Sequence, residues 1–121
     1  MYNRIAMDIK ELTQAMQTFV NEKGWTQPDS QRPQTPKNLA VSLSIEAAEV
    51  LEHFQWHEKP PDPSGLASEL ADVALYLLQL ASVLGIDLES AIVEKLKVNT
   101  TRTWDAEPAR NHEMEINDNE N

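Results

Sequence analysis

Two pairs of carboxylates define the chemistry this chain could do. Glu46 and Glu49 stand three residues apart, and so do Glu69 and Asp72. On a helix, each pair shares one face, a single turn apart. Four carboxylates brought together repel one another and hold protons above their usual range unless a cation is present. A hard divalent cation with oxygen ligands resolves that cost, and Mg²⁺ or Mn²⁺ is the natural candidate. Mg²⁺ held by acids keeps several waters and typically serves a phosphate-bearing substrate. The bland alternative is that both pairs are solvated helix faces.

The elements that must position these acids are helical. Four segments carry helical periodicity, and no segment alternates as a strand would. The first runs from about Ile9 to Lys23, with Ile5, Ile9, Leu12, Met16, Phe19 and Val20 on one face. Asp8 with Glu11 resembles a capping box, and Gly24 is a stop. The loop "WTQPDSQRPQTPKN" has three prolines and few aliphatic residues, which argues against regular structure. Thr35 and Pro36 then read as N-cap and first helical residue of a segment reaching about Trp56. Its core face is Leu43, Ala47, Val50, Leu51 and Phe54. After "EKPPDPSG", helix three runs from about Ser64 to Leu84 and stops at Gly85. Asp87 caps helix four, from about Leu88 to Thr103, whose face is Ala91, Ile92, Leu96 and Val98.

Helix two presents Ser42, Glu46, Glu49, His53 and Trp56 within about 80° of one another, with Glu52 at the margin. Helix three presents Glu69, Asp72, Tyr76 and Gln79 within a similar arc. The connection between the two helices is short, so antiparallel packing would let the stripes face each other. The rest of helix three is almost entirely Leu, Val and Ala. A helix apolar over most of its circumference must be surrounded on several sides. Three other short helices can hardly do that alone, so an all-α bundle completed by a second subunit is expected. A di-iron bundle is the competing metal reading, but it wants Glu-x-x-His pairs. His53 follows Glu49 at four residues, not three, and His57 and His112 are no better placed.

Composition narrows the class. The chain of 121 residues is enough for one domain and contains no cysteine, which excludes disulfides and cysteine-held metals. "MYNRIAMDIK" lacks the apolar core of a signal peptide. Val73 to Ile86, the longest charge-free apolar run, is shorter than the roughly 20 residues a membrane span needs. A soluble, cytoplasmic protein is expected. The net charge of −10 disfavours nucleic acid as a partner. Half of that charge lies in "DAEPARNHEMEINDNEN", residues 105–121, with six acids and one arginine. This segment is expected to be a disordered acidic tail behind a single domain of residues 1–104.

The stretches "SIEAAEVLEHFQW" and "ELADVALYLLQLASVLGIDLESAIVEKLKVNTTRTW" resemble the MazG-like all-α nucleotide pyrophosphohydrolases, nearest in pattern to the small dCTP pyrophosphatase type. The signature is E-x-x-E on one helix and E-x-x-D on the next, matched by Glu46, Glu49, Glu69 and Asp72. The "FQW" after helix two and K-x-x-x-N-x-x-R in helix four also fit. The resemblance covers about residues 9–104.

It implies a four-helix bundle, a homo-oligomer, dimeric or tetrameric, and Mg²⁺-dependent hydrolysis of nucleoside triphosphates, dCTP or related dNTPs, to the monophosphate and pyrophosphate. The role implied is nucleotide-pool house-cleaning. Metal would be held by Glu46, Glu49, Glu69 and Asp72, with Glu46 and Glu49 also catalytic. Lys95, Asn99 and Arg102, on one face of helix four, would contact phosphate and sugar oxygens; ordinary solvated cations at a helix end are the alternative. Trp25, Trp56, Tyr76 and Asn38 would surround the base; core or interface packing is the alternative for the aromatics, and Asn38 could serve the entrance of helix two. Trp104 reads as a packing residue, and His53 as a surface or supporting one.

The chain departs from the pattern twice. Ile45 stands where many relatives have a second acid, which leaves Glu49 or Glu52 as candidate base. The loop from Trp25 to Lys37 is longer, so base preference does not carry over. A non-catalytic helical module, a dUTPase-like enzyme and a phosphoribosyl-ATP pyrophosphohydrolase are the alternative readings; "FQW" disfavours the last.

Overall fold

The structure, a computed structural model, describes residues 6–103. Among them stand four helices and no strand: α1 (Ile9–Glu22), α2 (Pro36–Glu52), α3 (Pro63–Val83) and α4 (Leu88–Thr101). The acidic segment 105–121, Ile5 and Trp104 lie outside the described residues.

The caps explain where the helices begin. The Asp8 carboxylate accepts from the Glu11 backbone N–H at 2.8 Å. Thr35 Oγ1 accepts from the Asn38 N–H at 3.2 Å, with proline at the first helical position. Asp62 accepts from the Gly65 N–H at 3.1 Å, so α3 begins one residue earlier than expected. Asp87 holds both the N–H and the hydroxyl of Ser90. Each cap satisfies an amide that the helix itself leaves unpaired. Gly24 and Gly85 end α1 and α3 with φ of 73° and 69°. Beyond each, the next N–H reaches back to close the turn: Trp25 to Val20 at 3.3 Å, and Ile86 to Ala81 at 2.9 Å. These closures need a left-handed residue, which glycine adopts without steric cost.

Helix α2 stops at Glu52, short of the expected Trp56. Phe54, Gln55 and His57 donate to carbonyls three residues back, so the chain leaves the helix through successive tight turns. Trp56 therefore sits off the helix, 82% exposed, rather than on the acidic stripe.

The chain divides after Ala91 into two units. In the first, α3 packs against both α1 and α2. Met16 and Val20 of α1 close on Leu78 of α3, with Ile9, Trp25 and Leu88 at the margin. Leu39 of α2 is 1% exposed. Of the expected α2 core face, Leu43 and Val50 are half-buried, whereas Ala47, Leu51 and Phe54 are exposed. Helix α3 spans 21 residues and is long and apolar enough to cross a membrane by composition. It nevertheless carries Glu69 and Asp72 and is flanked by two helices. Much of its apolar surface, including Leu70, Leu75 and Leu77, is left open. The second unit begins at Ile92 and continues α4, where Lys97 and Glu94 pair at 3.4 Å on the exposed surface.

Leu39→Ala should destabilise the protein by about 2–5 kcal/mol, the usual cost of a cavity left by a buried leucine. Urea unfolding followed by circular dichroism measures it. A loss below about 1 kcal/mol would contradict the placement of Leu39 in a tight core.

Candidate functional site

Helices α2 and α3 bring three of the four acids together. One carboxylate oxygen from each of Glu46, Glu49 and Glu69 lies within 4.8 Å of the other two. The pair on α2 is one turn apart, and Glu69 reaches them from the facing helix. Asp72 lies outside this trio, but its negative charge is felt at both Glu46 and Glu69.

Electrostatics follow from the crowding. Glu46 is half-buried, and its Oε2 is covered from solvent and accepts no hydrogen bond among the described residues. Its pKa is pushed up to about 7, first by burial, then by a proton shared with Glu49, then by the charges of Glu49, Asp72 and Glu69. Glu69 is also raised, first by proton sharing with Glu49, then by burial and the neighbouring charges, with His53 opposing. Converging acids with a covered, unpartnered carboxylate oxygen have the chemistry of a set that a cation would compensate. The three converging ligands are all carboxylate oxygens, which fits a hard divalent cation better than a soft one. His53 is half-buried at the end of α2, on the edge of this cluster.

The other residues expected at the site are placed separately. Trp25 lines a cavity of about 480 Å³ between α1, α3 and the loop joining α1 to α2. Its ring meets Phe19 edge-on at 5.5 Å, and the Arg32 guanidinium lies 5.8 Å from its centroid. The loop itself, expected to be irregular, is tied by short-range bonds: Thr26 to Asn21, Arg32 to Ser30, and Gln34 to the Arg32 carbonyl. Asn38 donates to the Pro33 carbonyl at 3.0 Å, so its side chain secures the entrance to α2. Tyr76 is half-buried on α3, and Trp56 stands on the exposed turn after α2. Lys95, Asn99 and Arg102 belong to the second unit. Lys95 is exposed on α4, Asn99 is half-buried, and Arg102 lies just past the helix end, its N–H donating to the Asn99 carbonyl at 3.3 Å. Sequence reasoning did not single out Gln34 or Gln79 for a role at this cavity, although Gln79 shares the stripe of Glu69 and Asp72.

The MazG-like family model matches residues 41–118, which includes both acid pairs and runs on into the acidic segment. The chain belongs to the MazG-like family. Human dCTP pyrophosphatase 1 is 34% identical over 93 residues, covering 69% of this chain and 52% of that protein. The rat dCTP pyrophosphatase 1 is 32% identical over the same length. The chain thus spans about half the length of the curated relatives it matches. A pyrophosphatase from Archaeoglobus fulgidus, solved by crystallography, superimposes with a TM-score of 0.63 at 34% identity. That match covers 82% of this chain and 94% of the archaeal one.

The raised Glu46 pKa has a consequence for stability. A carboxyl whose folded-state pKa exceeds its unfolded value favours the fold while protonated. The contribution is complete below about 4.5 and is lost as pH rises through about 7. Metal-free protein should therefore lose stability across that window, and Glu46→Gln should flatten the loss. Saturating Mg²⁺ should offset it, because the metal needs the ionised ligand. Thermal melts against pH, with EDTA or Mg²⁺, check this; an unchanged slope in Glu46→Gln would contradict it.

Proposed function

We propose that this chain is a Mg²⁺-dependent nucleoside triphosphate pyrophosphohydrolase, with Mn²⁺ as an alternative metal. The observation that carries the reading is the trio Glu46, Glu49 and Glu69, drawn from two helices, with a covered, unpartnered oxygen on Glu46. The substrate class is a deoxynucleoside triphosphate, with dCTP the leading choice, supported by the names of the relatives that share the signature.

In this reading Glu46, Glu49 and Glu69 hold the metal and Asp72 completes or supports the set. Bound there, the cation would offset phosphate charge and polarise the scissile phosphoryl group. Hydrolysis between the α- and β-phosphates consumes one water, whose proton must pass to a base. Glu49, between Glu46 and Glu69 in the cluster, is the candidate to accept it, with Glu52 the alternative. Trp25 offers an aromatic wall for the base, and Trp56 and Tyr76 are further candidates for stacking. Lys95, Asn99 and Arg102 are assigned to phosphate and sugar oxygens by their match to the family pattern. The half-exposed leucines of α2 and α3 are assigned to a second copy of the chain, because apolar surface of this extent is rarely left to water. A nucleotide-pool-cleansing role, in the cytoplasm, is proposed with this substrate class.

Pyrophosphate release from the common dNTPs and NTPs tests the reading. The preparation should sediment as more than a single 13.7 kDa chain. Release should require Mg²⁺, stop with EDTA, and fall at least about 100-fold in Glu69→Gln, the scale expected when a charge-stabilising ligand is lost. A folded oligomer that releases pyrophosphate from none of them would favour a non-catalytic helical module instead.

A further inference from the structure

We propose that Gln79, held in one orientation by Gln34, reads the edge of the substrate's base and favours a base bearing an exocyclic amino group. This rests on the reading of the chain as a nucleotide pyrophosphohydrolase, and it adds a specificity residue outside the set that the family pattern implies.

The cavity beside Trp25 has an unusual chemistry. Its walls combine the indole with the carboxamides of Gln17, Asn21, Gln27, Gln34 and Gln79. No ionisable side chain is among the described residues that line it. A phosphate would need cations there, and a metal would need anions. A neutral, planar heterocycle with amide-like edges matches both the flat apolar wall and the donors and acceptors.

Gln79 is the most enclosed of these amides, 7% exposed. Its orientation follows from a chain of obligatory roles. The Arg32 carbonyl can only accept, so Gln34 must direct its Nε2 there, at 2.5 Å. That leaves the Gln34 Oε1 facing Gln79, which can therefore only donate, through its own Nε2. The Gln79 carboxamide cannot flip without setting two oxygens, or two amino groups, against each other. Its Oε1 is then a fixed acceptor with no donor among the described residues.

The position suits a base. Gln79 lies seven residues, two helical turns, beyond Asp72 on the same stripe of α3. That is about 10 Å along the axis, comparable with the span from a base across its sugar to the phosphates. A base in the cavity would leave its phosphates directed along α3 toward Glu69 and Asp72. An exocyclic amino group would donate to Gln79 Oε1. A keto oxygen at the same ring position would set two acceptors against each other, an arrangement that sites built for hydrogen bonding reject. Gln34 acts only through Gln79 and is a positioning residue.

The test compares dCTP with dUTP, which differ in the 4-amino or 4-oxo substituent and in the N3 proton that goes with it, and their monophosphates dCMP and dUMP. Wild-type protein should prefer dCTP in kcat/KM and bind dCMP more tightly than dUMP, by tryptophan fluorescence. Gln79→Leu should reduce both preferences about 10-fold or more, the usual scale for a lost discriminating hydrogen bond. Gln34→Leu, which leaves α3 intact, should do the same by freeing the Gln79 amide to rotate. Mn²⁺ affinity should be unchanged in both. A preference for the keto base in wild type, or ratios unchanged in both folded variants, would overturn the proposal. If no nucleotide is hydrolysed, the proposed function fails while the monophosphate ratios still decide this inference. A wild type that binds neither monophosphate would overturn it.

Discussion

Repulsion among Glu46, Glu49 and Glu69 is the constraint on which the rest of this structure turns. Three carboxylates within reach of one another, one with a covered oxygen, are unfavourable in the metal-free fold. Burial first, then proton sharing with Glu49 and the neighbouring charges, hold Glu46 at about 7, while proton sharing with Glu49, then burial and charge, raise Glu69. The arrangement persists because the surrounding helices are packed for other reasons. Leu39 anchors α2, and Leu78 ties α3 to Met16 and Val20 of α1. The scaffold thus holds the acids where a cation could take the place of the shared protons.

Helix α3 answers two demands at once. One stripe carries Glu69, Asp72, Tyr76 and Gln79, while the remainder is mostly apolar. Two helices of the same unit pack on it, yet Leu70, Leu75 and Leu77 still face outward. A second copy covering those leucines would also fix the helix that supplies half of the acid set. Stability and site geometry would then be coupled through the same residues.

Much of this was legible from residue types and spacing. The N-caps Asp8, Thr35 and Asp87 and the stops Gly24 and Gly85 act as their chemistry demands, because each satisfies a local backbone requirement. The facing of the α2 and α3 acids also followed from periodicity and a short connection. The end of α2 did not, since Trp56 continues the helical spacing while the backbone has already tightened into turns. Nor could periodicity separate Asp72 from the trio, because a helical stripe fixes direction but not distance. The Gln34–Gln79 bond joins residues 45 positions apart through a proline-rich loop, and no local pattern announces such a contact.

The central claim is that Glu46, Glu49 and Glu69 form a cation site, and titration calorimetry with Mn²⁺ at pH 7 tests it most directly. Run in two buffers of different ionisation enthalpy, it reports both the metal bound and the protons displaced. The account predicts one tight site per chain, release of about half a proton or more as Glu46 is forced to ionise, and loss of the site in Glu69→Gln. Absence of binding, or binding that survives in Glu69→Gln with no proton released, would contradict it.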